Sequence, residues 1–171
     1  MASETARDLF VTGLRNAHAM EHQAQEILER QSETFTDYPD VQRKVRQHLG
    51  ETREQIKRLE ECLRACGESP SAIKDTAMSF MGNLSAMSQS MAGDAILKNT
   101  FADDGFEHYE IAAYKSLLTL CERADVPAAR QPLQTSLREE EAMADWLDEH
   151  VPDVTLQYLN KAEREGARAG A

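Results

Sequence analysis

Five glutamates, Glu21, Glu51, Glu107, Glu110 and Glu140, fall where helical spacing turns side chains toward an apolar seam. A lone ionised carboxylate in a dry core costs many kcal/mol, so it either takes up a proton or finds a cation. A group of such carboxylates at one level of one core cannot all be ionised without cations among them. Glu107 and Glu110 are three residues apart, on one helix face and one turn from each other. One helix can therefore contact both ions of a pair, or let one carboxylate bridge while the other caps. Hard oxygen donors suit iron or manganese, one or two ions per chain, and the affinity order leaves zinc possible in a purified sample. The usual di-iron pattern adds a Glu-x-x-His on each of two helices, and this sequence has none.

The other polar candidates read differently. Glu54 is expected to face solvent. Glu140 stands between Glu139 and Glu141, an acidic run in which the heptad phase picks Glu140 as the inward member. His18 and His22 have the i, i+4 spacing of a metal-binding pair, but they flank the seam, which places them on the surface. His108 is expected at the rim. His150 is expected near a helix end, where an imidazolium is favourable. Tyr114 lies one turn from Glu110, and a buried phenol needs a partner of that kind. Cys62 and Cys66 do not have the spacing of a redox dithiol and read as small packing groups. Trp146 reads as an interhelical or interface anchor. There is no Gly-rich phosphate loop, no G-x-S-x-G elbow and no H-E-x-x-H.

Four helices are needed to hold these residues. The periodicity predicts them over about 6–31, 39–65, 94–123 and 132–150. The first carries the seam Phe10, Leu14, Ala17, Glu21, Ala24, Leu28, with every step three or four residues. The second has an inner column that includes Val41, His48, Glu51, Gln55 and Cys62, and Gly67 is a natural stop. Pro152 is expected to end the fourth helix, with a short tail helix over 153–163. The two pairs have short connections and must be antiparallel. Between them, residues 67–93 form a crossover, read as a helix over about 71–91 with Met78, Met81, Met87 and Met91 as adaptable packing. A long crossover is what two antiparallel pairs need when they join end to end. The expected fold is therefore all-α: a ferritin-like four-helix bundle, one domain over 1–171.

The chain has 171 residues, with 19 Lys and Arg against 30 Asp and Glu, a net charge of -11. That balance argues against nucleic acid and anionic membranes as partners, and it leaves divalent cations open. No apolar run approaches the roughly 18 residues of a membrane span. The first residues lack the order of a secretory signal. Three cysteines demand no disulfide framework, so a cytoplasmic location is expected. A homodimer through the Met-rich crossover or the Trp146 face is expected as well, because apolar faces left outside a bundle usually find a partner.

The residues resemble those of a bacterial family, the ferritin-like proteins of the YciE and YciF type, over roughly 6–147. The most specific stretch is Glu107-His108-Tyr109-Glu110-Ile111-Ala112-Ala113-Tyr114. Glu51-Thr52 with Arg58-Leu59-Glu60 supports it, as do Leu137 with Glu139-Glu140, Ala144-Asp145, and Glu21 with Gln23. The resemblance implies a dinuclear metal protein associated with stress responses, with Glu21, Glu51, Glu107, Glu110 and Glu140 as ligands. The implied chemistry is oxidation of ferrous ions by dioxygen or peroxide. The alternative is a non-enzymatic stress-related protein with a partly degenerate site. The family commonly has a His four residues after the Glu of the second helix, and here Gln55 stands there. An amide oxygen binds an ion weakly and cannot replace an imidazole. Arg138 stands where the family often has an acidic residue, and could pair with Glu51 or Glu141 or face solvent.

Overall fold

A computed structural model describes residues 3–68 and 95–169. Those residues form four α-helices and no strand: α1 (Glu4–Thr34), α2 (Pro39–Ala65), α3 (Ala95–Ala124) and α4 (Pro127–Ala169). Their ends have local causes. The Ser3 hydroxyl caps α1 by accepting the Ala6 N–H at 3.0 Å. Pro39 and Pro127 open α2 and α4, where no amide proton is needed. Gly67, at φ 83°, ends α2. Its N–H donates to the Arg64 carbonyl and the Glu68 N–H to the Leu63 carbonyl, the paired bonds of a Schellman motif.

Cross-helix contacts fix the topology. Arg53 pairs with Glu29 and Gln42 donates to the Ser32 carbonyl, so α1 and α2 are antiparallel. Lys115 pairs with Glu141 and Arg130 with Glu122, which makes α3 and α4 antiparallel. Gly13 approaches Leu117 so closely that a Cβ would sit 2.9 Å from its Cδ2, while Gln31 bonds Asp103. Hence α1 is also antiparallel to α3. Arg58 on α2 reaches Ser136 and Glu139 on α4, and Cys62 reaches the Ala129 carbonyl. The diagonal helices α2 and α3 therefore run parallel.

Two apolar clusters occupy the ends of the bundle. One contains Phe10, Leu14, Leu59, Leu63, Leu117 and Leu133; the other contains Leu28, Phe35, Val45, Leu49, Ile96 and Val154. Helix α2 ends in the first cluster and α3 begins in the second, at the opposite end, which is the connectivity of a ferritin-like bundle. The crossover helix expected over 71–91, with its methionines, lies outside the described residues. No helix among the described residues is long and apolar enough to cross a membrane.

Helix α4 departs from expectation. It begins at Pro127 instead of Pro132 and passes through Pro152 to Ala169 as one helix. Pro152 removes one backbone bond, but the turns beyond it are held by tertiary contacts. Val154 is buried, Tyr158 packs on the second cluster, and Lys161 Nζ lies 2.5 Å from Asp37. At the other end, fully buried Ala129 holds the first turn. The separate tail helix is thus corrected to a continuation.

Candidate metal centre

Each helix contributes an ionisable side chain to one buried layer between the apolar clusters: Glu21 from α1, His48 from α2, Glu107 and Glu110 from α3, Glu140 from α4. None is more than 3% exposed. Ligand atoms of His48, Glu107, Glu110 and Glu140 all lie within 4.8 Å of one another. His48 Nε2 is 3.4 Å from Glu107 and 3.3 Å from Glu140, and its Nδ1 is 3.0 Å from Glu51 Oε2. The Tyr114 hydroxyl donates to Glu21 Oε1 at 2.5 Å. Gln55 Nε2 donates to Glu140 and, at 3.1 Å, to Glu139. Arg58 grips both oxygens of Glu139 at 2.8 and 2.9 Å.

The electrostatics follow from burial and crowding. Burial, then neighbouring carboxylates, pushes Glu21 and Glu110 well above the usual carboxylate range. Glu140 is pushed up to about 7, with burial as the largest cause. Burial opposes charge on His48, but Glu107, Glu140 and Glu51 around it hold it well above its ordinary value. An imidazolium and carboxyl protons are therefore the internal counter-charges of this layer.

The residues fit a cation. Glu21 Oε2, Glu107 Oε2, both oxygens of Glu110 and Glu140 Oε2 are buried and accept no hydrogen bond. Unsatisfied buried acceptors are rare, and here five share one layer. They supply the hard oxygens that iron or manganese takes, alongside one imidazole, which zinc also accepts. The second nitrogen of His48 is held by Glu51, as the free nitrogen of a ligating histidine usually is. A buried His/Glu cluster of this composition can hold a metal ion.

Among the five glutamates singled out by sequence, Glu107, Glu110 and Glu140 are in the cluster. Glu21 shares their layer, bonded to Tyr114. Glu51 lies outside it, with its side chain 26% exposed, against His48. The imidazole was the residue sequence reasoning missed. His48 was on the inner column but had no assigned role; the reversed spacing His48-x-x-Glu51 was the available signal. Tyr114 bonds Glu21 instead of Glu110. His18 is buried, contrary to its expected surface position, because α1 packs against both α2 and α3 and so buries more than one stripe. His108 is exposed, its Nδ1 2.8 Å from the Asp104 carbonyl. His150 lies mid-helix, stacked on Trp146 with its Nδ1 2.7 Å from the Trp146 carbonyl. Glu54 is exposed, and Arg138, also exposed, bonds Thr135. All three cysteines are buried and free.

Fold and site together define a ferritin-like four-helix bundle with a buried carboxylate–histidine layer. The model of the family described as domain of unknown function (DUF892) matches residues 5–160, and the chain belongs to that family. Protein YciF of Escherichia coli K12 is 27% identical over 168 residues, covering 94% of this chain and 96% of YciF. The crystal structure of a protein from Xanthomonas campestris pv. campestris is similar at a TM-score of 0.77 and 26% identity, covering 93% of this chain and 99% of that one. The crystal structure of the E. coli stress protein YciF shares the fold at a TM-score of 0.71 and 23% identity, covering 90% of this chain and 98% of that one.

Proposed function

We propose that this chain is a ferritin-like metal protein that holds one or two iron or manganese ions on His48, Glu107, Glu110 and Glu140, with Glu21 as a further carboxylate ligand. Its role is oxidation of ferrous ions with dioxygen or peroxide in a stress response, in keeping with the description of the relative YciF as a stress protein. The observation that carries this reading is the set of buried carboxylate oxygens, none of them accepting a hydrogen bond and two of them in ion-pair range of His48 Nε2, gathered around one imidazole. Bound iron or manganese would supply one-electron redox chemistry toward dioxygen or peroxide. The chain's own residues prepare the place. Glu51 fixes the ring of His48 so that Nε2 faces the layer, and that nitrogen must give up its proton to act as a donor. Tyr114 orients Glu21. The apolar clusters on either side exclude water, which strengthens every charge interaction between them. Elemental analysis after anaerobic loading with Fe(II) or Mn(II) tests the reading. Retained metal near one or two ions per chain supports it, and metal far below one ion per chain overturns it.

One observation favours a second reading, a non-enzymatic stress protein with a degenerate site. The amide of Gln55 donates into Glu140 and so occupies a lone pair of a proposed ligand. Oxygen consumption on adding ferrous ions separates the two. Oxidation no faster than in buffer, by protein that retains metal, supports the second.

A further inference from the structure

His18 stands apart from the buried layer. It is 6% exposed, yet neither of its ring nitrogens makes a hydrogen bond. Its Nε2 lies 3.7 Å from Glu60 Oε1 on α2, beyond hydrogen-bond range. On the same helix, one turn along, the ring of His22 meets it edge-on, with centroids 4.5 Å apart and an interplanar angle of 74°. A core histidine held for packing normally donates to a carbonyl or carboxylate; this one does not. Burial, then the adjacent His22, holds His18 below its ordinary value, which favours the neutral ring that a metal requires.

We propose that His18, His22 and Glu60 form a second cation site, between α1 and α2, for Zn(II) or a similar borderline divalent ion. Two imidazoles four residues apart on one helix face are a recognised zinc-binding arrangement. A carboxylate from the neighbouring helix supplies a third ligand, and water a fourth. Glu60 Oε1 is the ligand oxygen, because its Oε2 already accepts from Arg64 at 2.9 Å. The Glu60 side chain is 32% exposed and His22 is at the surface, so an ion can reach the site from solvent, and binding requires the His22 ring to turn from its edge contact with His18 onto the ion. The site is separate from the buried layer: Glu21, between the two histidines in sequence, turns to Tyr114 on α3, whereas His18 faces α2.

The test is a Zn(II) titration of the metal-free full chain, with the histidine ring resonances followed by NMR. His48 reports the buried layer; His18 and His22 report this site. The expected result is that the His18 and His22 signals shift together. His22→Ala and Glu60→Gln, both at accessible positions, should each weaken that event by at least about tenfold, since even groups one shell beyond a metal are worth about 10- to 100-fold. Both variants should leave the His48 response intact. If the His18 and His22 signals stay unmoved at saturating Zn(II), or if both variants bind as tightly as the wild type, the proposal is overturned, whatever His48 does. A silent His48 bears only on the buried layer.

Discussion

Loading the buried layer should stabilise the fold by an amount that depends on pH, because an ion must displace protons there. At a free metal concentration of 100 times Kd, a ligand bound only by the folded chain adds about 2.7 kcal/mol. For a chain of this size that raises Tm by about 5–10 °C. Glu140, pushed up to about 7 chiefly by burial, is mostly protonated at pH 6 and mostly ionised at pH 8. That group alone weakens binding about tenfold on acidification between those values. His48, held well above its ordinary value by its carboxylate neighbours, must also lose its proton and acts in the same direction. At the same free metal, the gain at pH 6 therefore falls to about 1.4 kcal/mol or less, half of that at pH 8. Differential scanning calorimetry of metal-free protein with anaerobic Mn(II), at both pH values, measures the shifts. Titration calorimetry in buffers of different ionisation enthalpy counts the protons released. Equal shifts at pH 6 and pH 8, or binding without proton release, would refute the reasoning.

Three further outcomes follow from the same residues. In the ion-free protein, the folded state holds the Glu140 proton more tightly than the unfolded chain does. The stability this contributes is complete below 4.5 and is lost as pH rises through about 7, a change of about 3 kcal/mol. Glu140→Gln should flatten that part of the stability–pH curve in denaturant titrations, and an unchanged curve would count against the assignment. Gln55→His replaces an amide that donates into Glu140 with a potential ligand, and should raise Mn(II) affinity by about tenfold or more in competition with a chromophoric chelator; unchanged or weaker binding would remove that position from the site. Val154→Ala should cost about 2 kcal/mol in thermal melts, from lost burial plus a cavity. No loss would mean that the turns beyond Pro152 do not hold the second cluster together.

What the sequence disclosed depended on how far each interaction reaches along the chain. The seam of α1 and the full extent of α2 were legible because burial at a period of 3.6 marks them locally. The inward turn of Glu21, Glu107, Glu110 and Glu140 was legible because an acid in an apolar seam is conspicuous, whereas Glu51, also expected to point inward, stands partly exposed against His48. His48 was not, since histidine occurs both buried and exposed and its phase alone assigns no role; its meaning comes from Glu107 and Glu140 on two other helices. Tyr114 shows the same limit. Spacing along α3 offers it Glu110, but the bundle brings Glu21 to it from α1. Pro152 reads locally as a stop, and only Val154, Tyr158 and the Lys161–Asp37 pair, which depend on the folded bundle, carry the helix past it.

The buried layer makes poor sense as packing. Replacing buried ionic groups by apolar ones of similar volume is often neutral or stabilising, and the layers on either side here are already apolar. In the ion-free state His48 offsets part of the carboxylate charge, with raised carboxyl groups holding protons for the rest. Such an arrangement loses stability as pH rises and the carboxyl groups ionise. Stabilisation by a bound cation grows over the same range, because the same protons no longer compete. The two pH dependences therefore have opposite signs and share one set of residues, so metal should matter least to the fold in acid and most in mild alkali. A bundle whose acidic layer served packing alone would show the first dependence without the second.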